Sequence, residues 1–215
     1  MSLGYSVETE MTLTADTMLL ADGHVPEASA VLARAFFDDP LFGWVEPDPM
    51  RRAQVLPWLM RIGTQYGTSF GEVHGTADPL NGAAVWLPPG ASTVDPARLE
   101  QAGFVDPASV IGDAALQRFG AFMEHAEELH HRDMADRHWY LMILGVDPPF
   151  QGRGLGGAIM QPVLKRADAD HLPCYLETAK ERNVPFYRKH GFDVVHEGMM
   201  PLDGPRFWTM RRGAR

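Results

Sequence analysis

An apolar run, a glycine-rich turn and an apolar helix pattern follow one another between residues 138 and 165. This order constrains the fold more than any other stretch. His138–Val146 (HWYLMILGV) is almost continuously apolar, as in a strand buried on both faces. Asp147-Pro148-Pro149 then stops the ladder, because proline has no N–H to donate. Gln151-Gly152-Arg153-Gly154-Leu155-Gly156-Gly157 follows, and Leu155, Ala158, Ile159 and Val163 recur at helical spacing. Strand, glycine turn and helix together form the layout of a diphosphate-binding site. Glycines let the backbone approach an anion closely. The first N–H groups of a helix lack internal partners and carry partial positive charge, so a pyrophosphate fits there. Arg153 would add a full charge beside it. No Gly-Lys-Ser/Thr follows, so the turn is not a P-loop. Gly152, Gly154 and Gly157 fall at the bare GxGxxG spacing, but the stretch lies late in the chain, which departs from the dinucleotide fingerprint.

The rest of the chain reads as strands mixed with helices. Residues 1–15 are polar and predicted to be loose. A short strand is predicted at Met18–Leu20, and a helix over Val25–Phe37 with Pro26 in its first turn. The proline-rich segment Leu41–Met50 reads as a loop, and a second helix spans Arg51–Tyr66. Strands are predicted at Phe70–Thr76 and Gly82–Leu87, joined by an Asn81-Gly82 hairpin turn. Residues 91–132 read as an insertion before the central strand: an irregular link, a short helix at Pro96–Ala102 and one long helix over Pro107–His131. Strict alternation along the central strand puts His138, Tyr140, Met142 and Leu144 on one face and Trp139, Leu141 and Ile143 on the other. Cys174–Thr178 is a further strand. Asn183 is placed to cap a helix over Val184–His190 that Gly191 terminates, and Phe192–Glu197 with Phe207–Arg211 forms a closing hairpin. The class is α/β or α+β in three layers, predicted as a single domain over residues 1–215.

Composition narrows the function. With 45% hydrophobic and 22% charged residues the chain is an ordinary globular protein. A net charge of −9 argues against nucleic acid as a ligand. No run reaches the length of a membrane span, and the N-terminus lacks a signal-peptide pattern. A cytoplasmic location is therefore expected by default. The single cysteine, Cys174, lies in an apolar strand pattern and reads as core. HExxH is absent and His130-His131, adjacent on a helix, do not share a face, so no metal is expected. Gly67-Thr68-Ser69-Phe70-Gly71 has the GxSxG spacing, but it follows a predicted helix and leads into a predicted strand, the reverse of the strand-to-helix turn of a nucleophile elbow.

The whole constellation resembles the acetyl-CoA site of the GNAT N-acetyltransferase superfamily. It comprises a Val-x-Pro strand end (Val146–Pro148), then Gln151-Gly-Arg-Gly154-Leu-Gly156, then an Asn-x-x-x-Tyr helix about thirty residues on. The resemblance implies a mixed sheet of six to seven strands splayed between the fourth and fifth. It implies acetyl-CoA held at Gln151, Gly152, Arg153, Gly154, Leu155 and Gly156, with Leu144, Gly145 and Val146 beside the pantetheine arm. An asparagine such as Asn183 contacts pantetheine in that family, and a tyrosine such as Tyr187 sits near the CoA sulfur. Within the superfamily the nearest resemblance is to the puromycin N-acetyltransferase group, carried by Ala84-Val-Trp-x-x, Leu176-Glu-Thr178 and Arg182-Asn-x-Pro-Phe-Tyr187. A homodimer is common in the family.

Acetyl transfer to an amine needs a base, an oxyanion donor and an acid for the leaving thiolate. An unpaired N–H near Leu144–Val146 would serve as oxyanion donor. Tyr187, one turn after Asn183 on the same helix face, is the candidate acid. The alternative is that it packs as a buried aromatic with its hydroxyl bonded to backbone. Glu177, at the end of its strand, is the first candidate base, His138 the second and Glu124 the third; each could equally be a structural polar group. Asp38, Asp39, Trp44 and Trp86 could bind a cationic aromatic amine or simply cap and pack. The expected function is acetyl-CoA-dependent transfer to a primary amine of a small molecule by direct attack. The alternatives are a CoA-binding sensor without turnover, or an enzyme acting on a peptide amine.

Overall fold

A computed structural model of the chain describes residues 16–214. The loose N-terminal segment expected over residues 1–15 lies outside them. In chain order the elements are β1 (Thr17–Leu20), α1 (Val25–Phe36), α2 (Pro40–Val45), α3 (Pro49–Phe70), β2 (Glu72–Thr76), β3 (Gly82–Leu87), α4 (Pro96–Gln101), α5 (Pro107–Ile111), α6 (Asp113–Asp133), β4 (Trp139–Val146), α7 (Leu155–Ala169), β5 (Cys174–Thr178), α8 (Val184–Lys189), β6 (Asp193–Met199) and β7 (Arg206–Arg212). The strands form one seven-stranded sheet in the order β1-β2-β3-β4-β5-β7-β6. Every pairing is antiparallel except β4 with β5.

That parallel pairing is short. Only Trp139, Tyr140 and Leu141 of the eight-residue β4 pair with β5. Beyond Leu141 the two strands part, and β4 keeps a ladder only with β3 as far as Val146. The sheet is splayed between its fourth and fifth strands, as the resemblance implied. Apolar cores form on both faces. Trp86, Trp139 and Leu141 pack with Ile159, Met160 and Val163 of α7. On the other face Val73, Val85 and Ala83 pack under α1 and α3.

Several expectations are corrected. The segment read as a loop contains α2, because Pro40 suits a first helical position and the Asp39 carboxylate accepts from the Leu41 N–H at 3.0 Å. Residues 77–81, rather than an Asn-Gly turn, join β2 to β3; the Asn81 N–H donates to the Thr76 hydroxyl at 2.7 Å and its carbonyl accepts from the Asp147 N–H. The long helix is two helices, broken at Gly112, whose φ of 77° no helix interior adopts. Finally, β4 does not alternate strictly. Val85 faces Ile143 and Trp86 faces Leu141, so Met142 is an extra residue opposite that step. This β-bulge reverses the phase. Met142 and Ile143 both pack toward α3, with Ile143 over Gly63, whereas Leu144 and Val146 join the α7 side. No helix among the described residues is long and apolar enough to cross a membrane.

Candidate active site

The glycine turn is built as a cradle. Gly152 and Gly154 have φ of 76° and 82°, conformations that favour glycine, and nothing lies within 4 Å of where a Cβ would stand on either. Gly154 is the N-cap of the fifteen-residue α7, and no side chain caps the helix there. Its first N–H groups therefore face open space with their partial charge. Two tethers fix the turn. The Gln151 side chain donates to the Val146 carbonyl at 2.9 Å. Asp147, just before the turn, is gripped by Arg34 of α1 at 2.6 Å. Further along α7, Gly157 lets the His190 ring approach to 2.7 Å of the missing Cβ, which seats α8 against α7.

A cleft of about 1070 Å³ runs from this turn along the splay. Leu144, Gly145 and Val146 line it from β4, Gln151, Gly152, Gly154, Leu155 and Gly156 from the turn, and Asn183 and Tyr187 from α8 and the segment before it. Arg153 does not line it. Its guanidinium donates to the Pro149 carbonyl at 3.0 Å and lies over the Phe150 ring. Lys165, Lys180, Arg182 and Lys189 line the cleft instead. Sequence reasoning missed these cations, although four of the ten residues 180–189 are basic in a chain of net charge −9.

A second cavity, about 170 Å³, lies on the α1/α3/α6 side of the splay. Its wall is mainly apolar and aromatic, with Phe42, Phe104, Phe119, Phe122, Met60 and Phe207 among its residues. The two cavities share Phe36, Asp39, Leu144, Asn183 and Tyr187. Tyr187 thus stands at their junction, and burial followed by the nearby Asp39 carboxylate holds its hydroxyl above the ordinary tyrosine range. Asn183 does not cap α8; its amide donates to the Thr178 hydroxyl at 3.4 Å. Asp39 ion-pairs with Lys180 at 3.7 Å.

Glu177 lines only the second cavity. Burial pushes its carboxyl up to about 8, with Glu127 and Asp133 adding to the rise and a hydrogen bond from Tyr140 opposing it. The other acceptor-side candidates fall away. His138 is buried outside both cavities, bonded to the Asp136 carbonyl and to His130. Glu124 is exposed on α6 and lines neither. Trp86 is fully buried under α7, and the Trp44 indole donates to the Leu202 carbonyl away from the cavities. Cys174 is buried, which pushes its thiol up to about 12 and keeps it a core residue.

The family model for acetyltransferases of the GNAT type matches residues 99–192, which span α4 to α8 and include the turn, β4, β5 and Tyr187. Residues 99–192 thus carry the pattern of the GNAT acetyltransferase family. The chain is 27% identical over 175 residues to an uncharacterized N-acetyltransferase of Schizosaccharomyces pombe, covering 77% of this chain and 69% of that one. Its fold is similar to that of "histone acetyltransferase HPA2 and related acetyltransferase" from Corynebacterium glutamicum, with a TM-score of 0.69, 21% identity, and 94% and 97% of the two chains covered. It is also similar to that of arylalkylamine N-acetyltransferase 2 from Aedes aegypti, with a TM-score of 0.66, 15% identity, and 93% and 98% covered. The sheet, its splay and its glycine turn are thus the frame on which this chain's own side chains are set.

Proposed function

We propose that this protein transfers an acetyl group from acetyl-CoA to the primary amine of a small, largely apolar molecule by direct attack. What carries the reading is the meeting of the two cavities at Tyr187, one leading to the anion cradle and the other ending at Glu177. The residues fit a CoA: open N–H groups at α7 for the pyrophosphate, four cationic side chains along the cleft, and a β4 edge free of β5 beyond Leu141 for an amide-bearing arm. Leu144, Gly145 and Val146 line that edge, and an N–H among them is the proposed oxyanion donor. Bound there, acetyl-CoA would supply an acetyl group activated as a thioester.

Glu177 takes the proton of the acceptor ammonium; a carboxyl near 8 suits a base working close to neutral pH. Tyr187, held protonated, gives its phenolic proton to the departing thiolate and regains one from the nitrogen, which sheds its second proton as the amide forms. Asn183 supports the arm of the donor beside it. The segment 91–132 shapes the acceptor end, supplying Leu99, Phe119 and Phe122 from its helices and Val94 and Phe104 from its loops. An apolar cavity of roughly 150 Å³ holds benzene, so the 170 Å³ here suits one ring with a short amine arm. The arylalkylamine enzyme of similar fold acts on acceptors of that kind, which agrees with this reading.

Calorimetric titration with acetyl-CoA, followed by a thiol-release screen over phenylalkyl amines, puromycin and a peptide amine, tests it. Binding with thiol release for a small amine is the expected result. No binding of acetyl-CoA or of other acyl-CoAs would end the reading; release only with the peptide would replace the acceptor class.

A further inference from the structure

Behind Glu177, away from the CoA cleft, lies a pair of buried histidines. His130 Nε2 and His138 Nε2 are 2.6 Å apart, and His138 Nδ1 is 2.6 Å from the Asp136 carbonyl oxygen. His130 Nδ1 is 4.0 Å from Glu177 Oε1. The His130 ring stacks on Tyr175, with centroids 4.3 Å apart, which fixes its plane. Burial pulls both imidazoles below their ordinary range, His130 to about 3, so both are neutral near pH 7.

Neutral imidazole has one N–H and one bare nitrogen. A carbonyl oxygen only accepts, so His138 Nδ1 carries the N–H and its Nε2 is bare. The short contact between the rings then requires His130 Nε2 to be the donor. His130 Nδ1 is left bare, and it is the nitrogen that faces Glu177. Two steps of hydrogen-bond logic, starting at a main-chain carbonyl, thus decide what Glu177 meets. A bare nitrogen repels a carboxylate lone pair and accepts from a carboxylic acid. Glu177 Oε1 has no hydrogen-bond partner otherwise.

We propose that His138 and His130 are positioning residues, a carbonyl-anchored imidazole pair that presents a bare nitrogen to Glu177 and so favours its protonated form once it has drawn a proton from the acceptor. The proposal rests on Glu177 being the base of the proposed reaction. The proton leaves the acceptor nitrogen, forms the O–H bond of Glu177 and points toward His130 Nδ1; it stays on Glu177 and returns to solvent when the product leaves the pocket. Catalytic contacts in an empty site are commonly long and tighten on binding, so the 4.0 Å separation closes by turning the carboxyl. The charged and titratable groups that share this balance are Tyr140 on β4, Tyr175 on β5, Glu127, His131 and Asp133 on α6, Asp136 between α6 and β4, and Arg211 on β7. Of these groups, His131 faces Glu127 at 2.9 Å, so the imidazole pair is the one whose tautomer is presented to Glu177.

The test uses His138→Phe, which keeps an aromatic ring but removes the acceptor that holds the His130 Nε2 proton. His130 is then free to carry its proton on Nδ1 and donate to the Glu177 carboxylate. Nitrogen-15 spectra of the intact protein at neutral pH should show His130 as the Nε2–H tautomer and His138 as the Nδ1–H tautomer. Carbon-13 titration of the Glu177 carboxyl should move to lower pH in His138→Phe, and the rising limb of kcat/KM should move with it. In a His130→Phe background the same His138→Phe change should leave the carboxyl titration where it was. A wild-type His130 protonated on Nδ1, or a Glu177 titration untouched by His138→Phe in a variant with a wild-type melting curve, overturns the proposal alone. Wild-type protein that transfers no acetyl group to any amine, with these tautomers present, overturns the role together with the acetyltransferase reading. Should His138→Phe fail to fold, the wild-type tautomers decide the matter.

Discussion

Arg34 closes on both carboxylate oxygens of Asp147, at 2.6 to 3.1 Å, across 113 residues of chain. The contact ties α1 to the end of β4, at the point where the strand gives way to the glycine turn. Asp147 is held from the other side as well, through its N–H to the Asn81 carbonyl at 2.8 Å. The turn therefore hangs from α1 and from the link before β3 as well as from its own Gln151.

Arg34→Met keeps the aliphatic stem and removes the fork. Arg34 is half exposed, so solvent screening limits the stability loss to about 1 kcal/mol, or roughly 2–4 °C in Tm for a chain of this size. The larger effect should be on acetyl-CoA, with Kd several-fold higher by calorimetry. An unchanged Kd would mean that Asn81 alone keeps the turn in shape.

Gly154→Val adds a side chain where there is room but where φ is 82°. The cost is backbone strain, about 1–2 kcal/mol for a left-handed residue, and the turn should relax by moving the α7 N–H groups. Acetyl-CoA binding should be lost while the melting curve stays cooperative. Gly154→Asn, which tolerates this region better, should retain part of it. Wild-type affinity in the valine variant would argue that the cradle is not at Gly154.

Tyr187→Phe removes only the hydroxyl at the junction of the two cavities. Its kcat should fall by ~10²-fold, the scale of a lost general acid, with acetyl-CoA affinity nearly unchanged. Equal losses in kcat and in acetyl-CoA affinity would assign the ring a packing role instead.

Glu177 sets two pH dependences. As a base it must be ionised, so kcat/KM should rise with pH through about 8. Stability runs the other way. The unfolded carboxyl ionises near 4.5 and the folded one near 8, so the neutral acid's contribution is full below 4.5 and lost as pH rises through 8. Glu177→Gln has no charge to desolvate, so its Tm advantage over wild type should grow from about pH 5 to about pH 9. A constant difference across that range would show that Glu177 ionises as freely in the fold as outside it.

Local chemistry alone determined much of this protein. The β3 and β5 limits, the turn at residues 151–156 and the Val184–Lys189 helix follow from apolar runs ended by proline, from glycines and from helical spacing. Each of these signals lies within one element, where a period of 2 or 3.6 leaves a readable trace. The tertiary structure decided the rest. The bulge at Met142 depends on what β3 offers opposite it, and it moves Leu144 and Ile143 to faces that strict alternation assigns the other way round. Gly112 splits α5 from α6 through a φ that a glycine allows but its letter does not impose. Arg153 gives way to Lys180, Arg182 and Lys189 at the cleft because the splay, and not the turn, brings residues 180–189 there. His130 meets Glu177 only because the end of α6 packs over the splayed pair of strands. Hydrogen-bond sense, burial and charge at that point are sums over several elements, and no single stretch of sequence carries them.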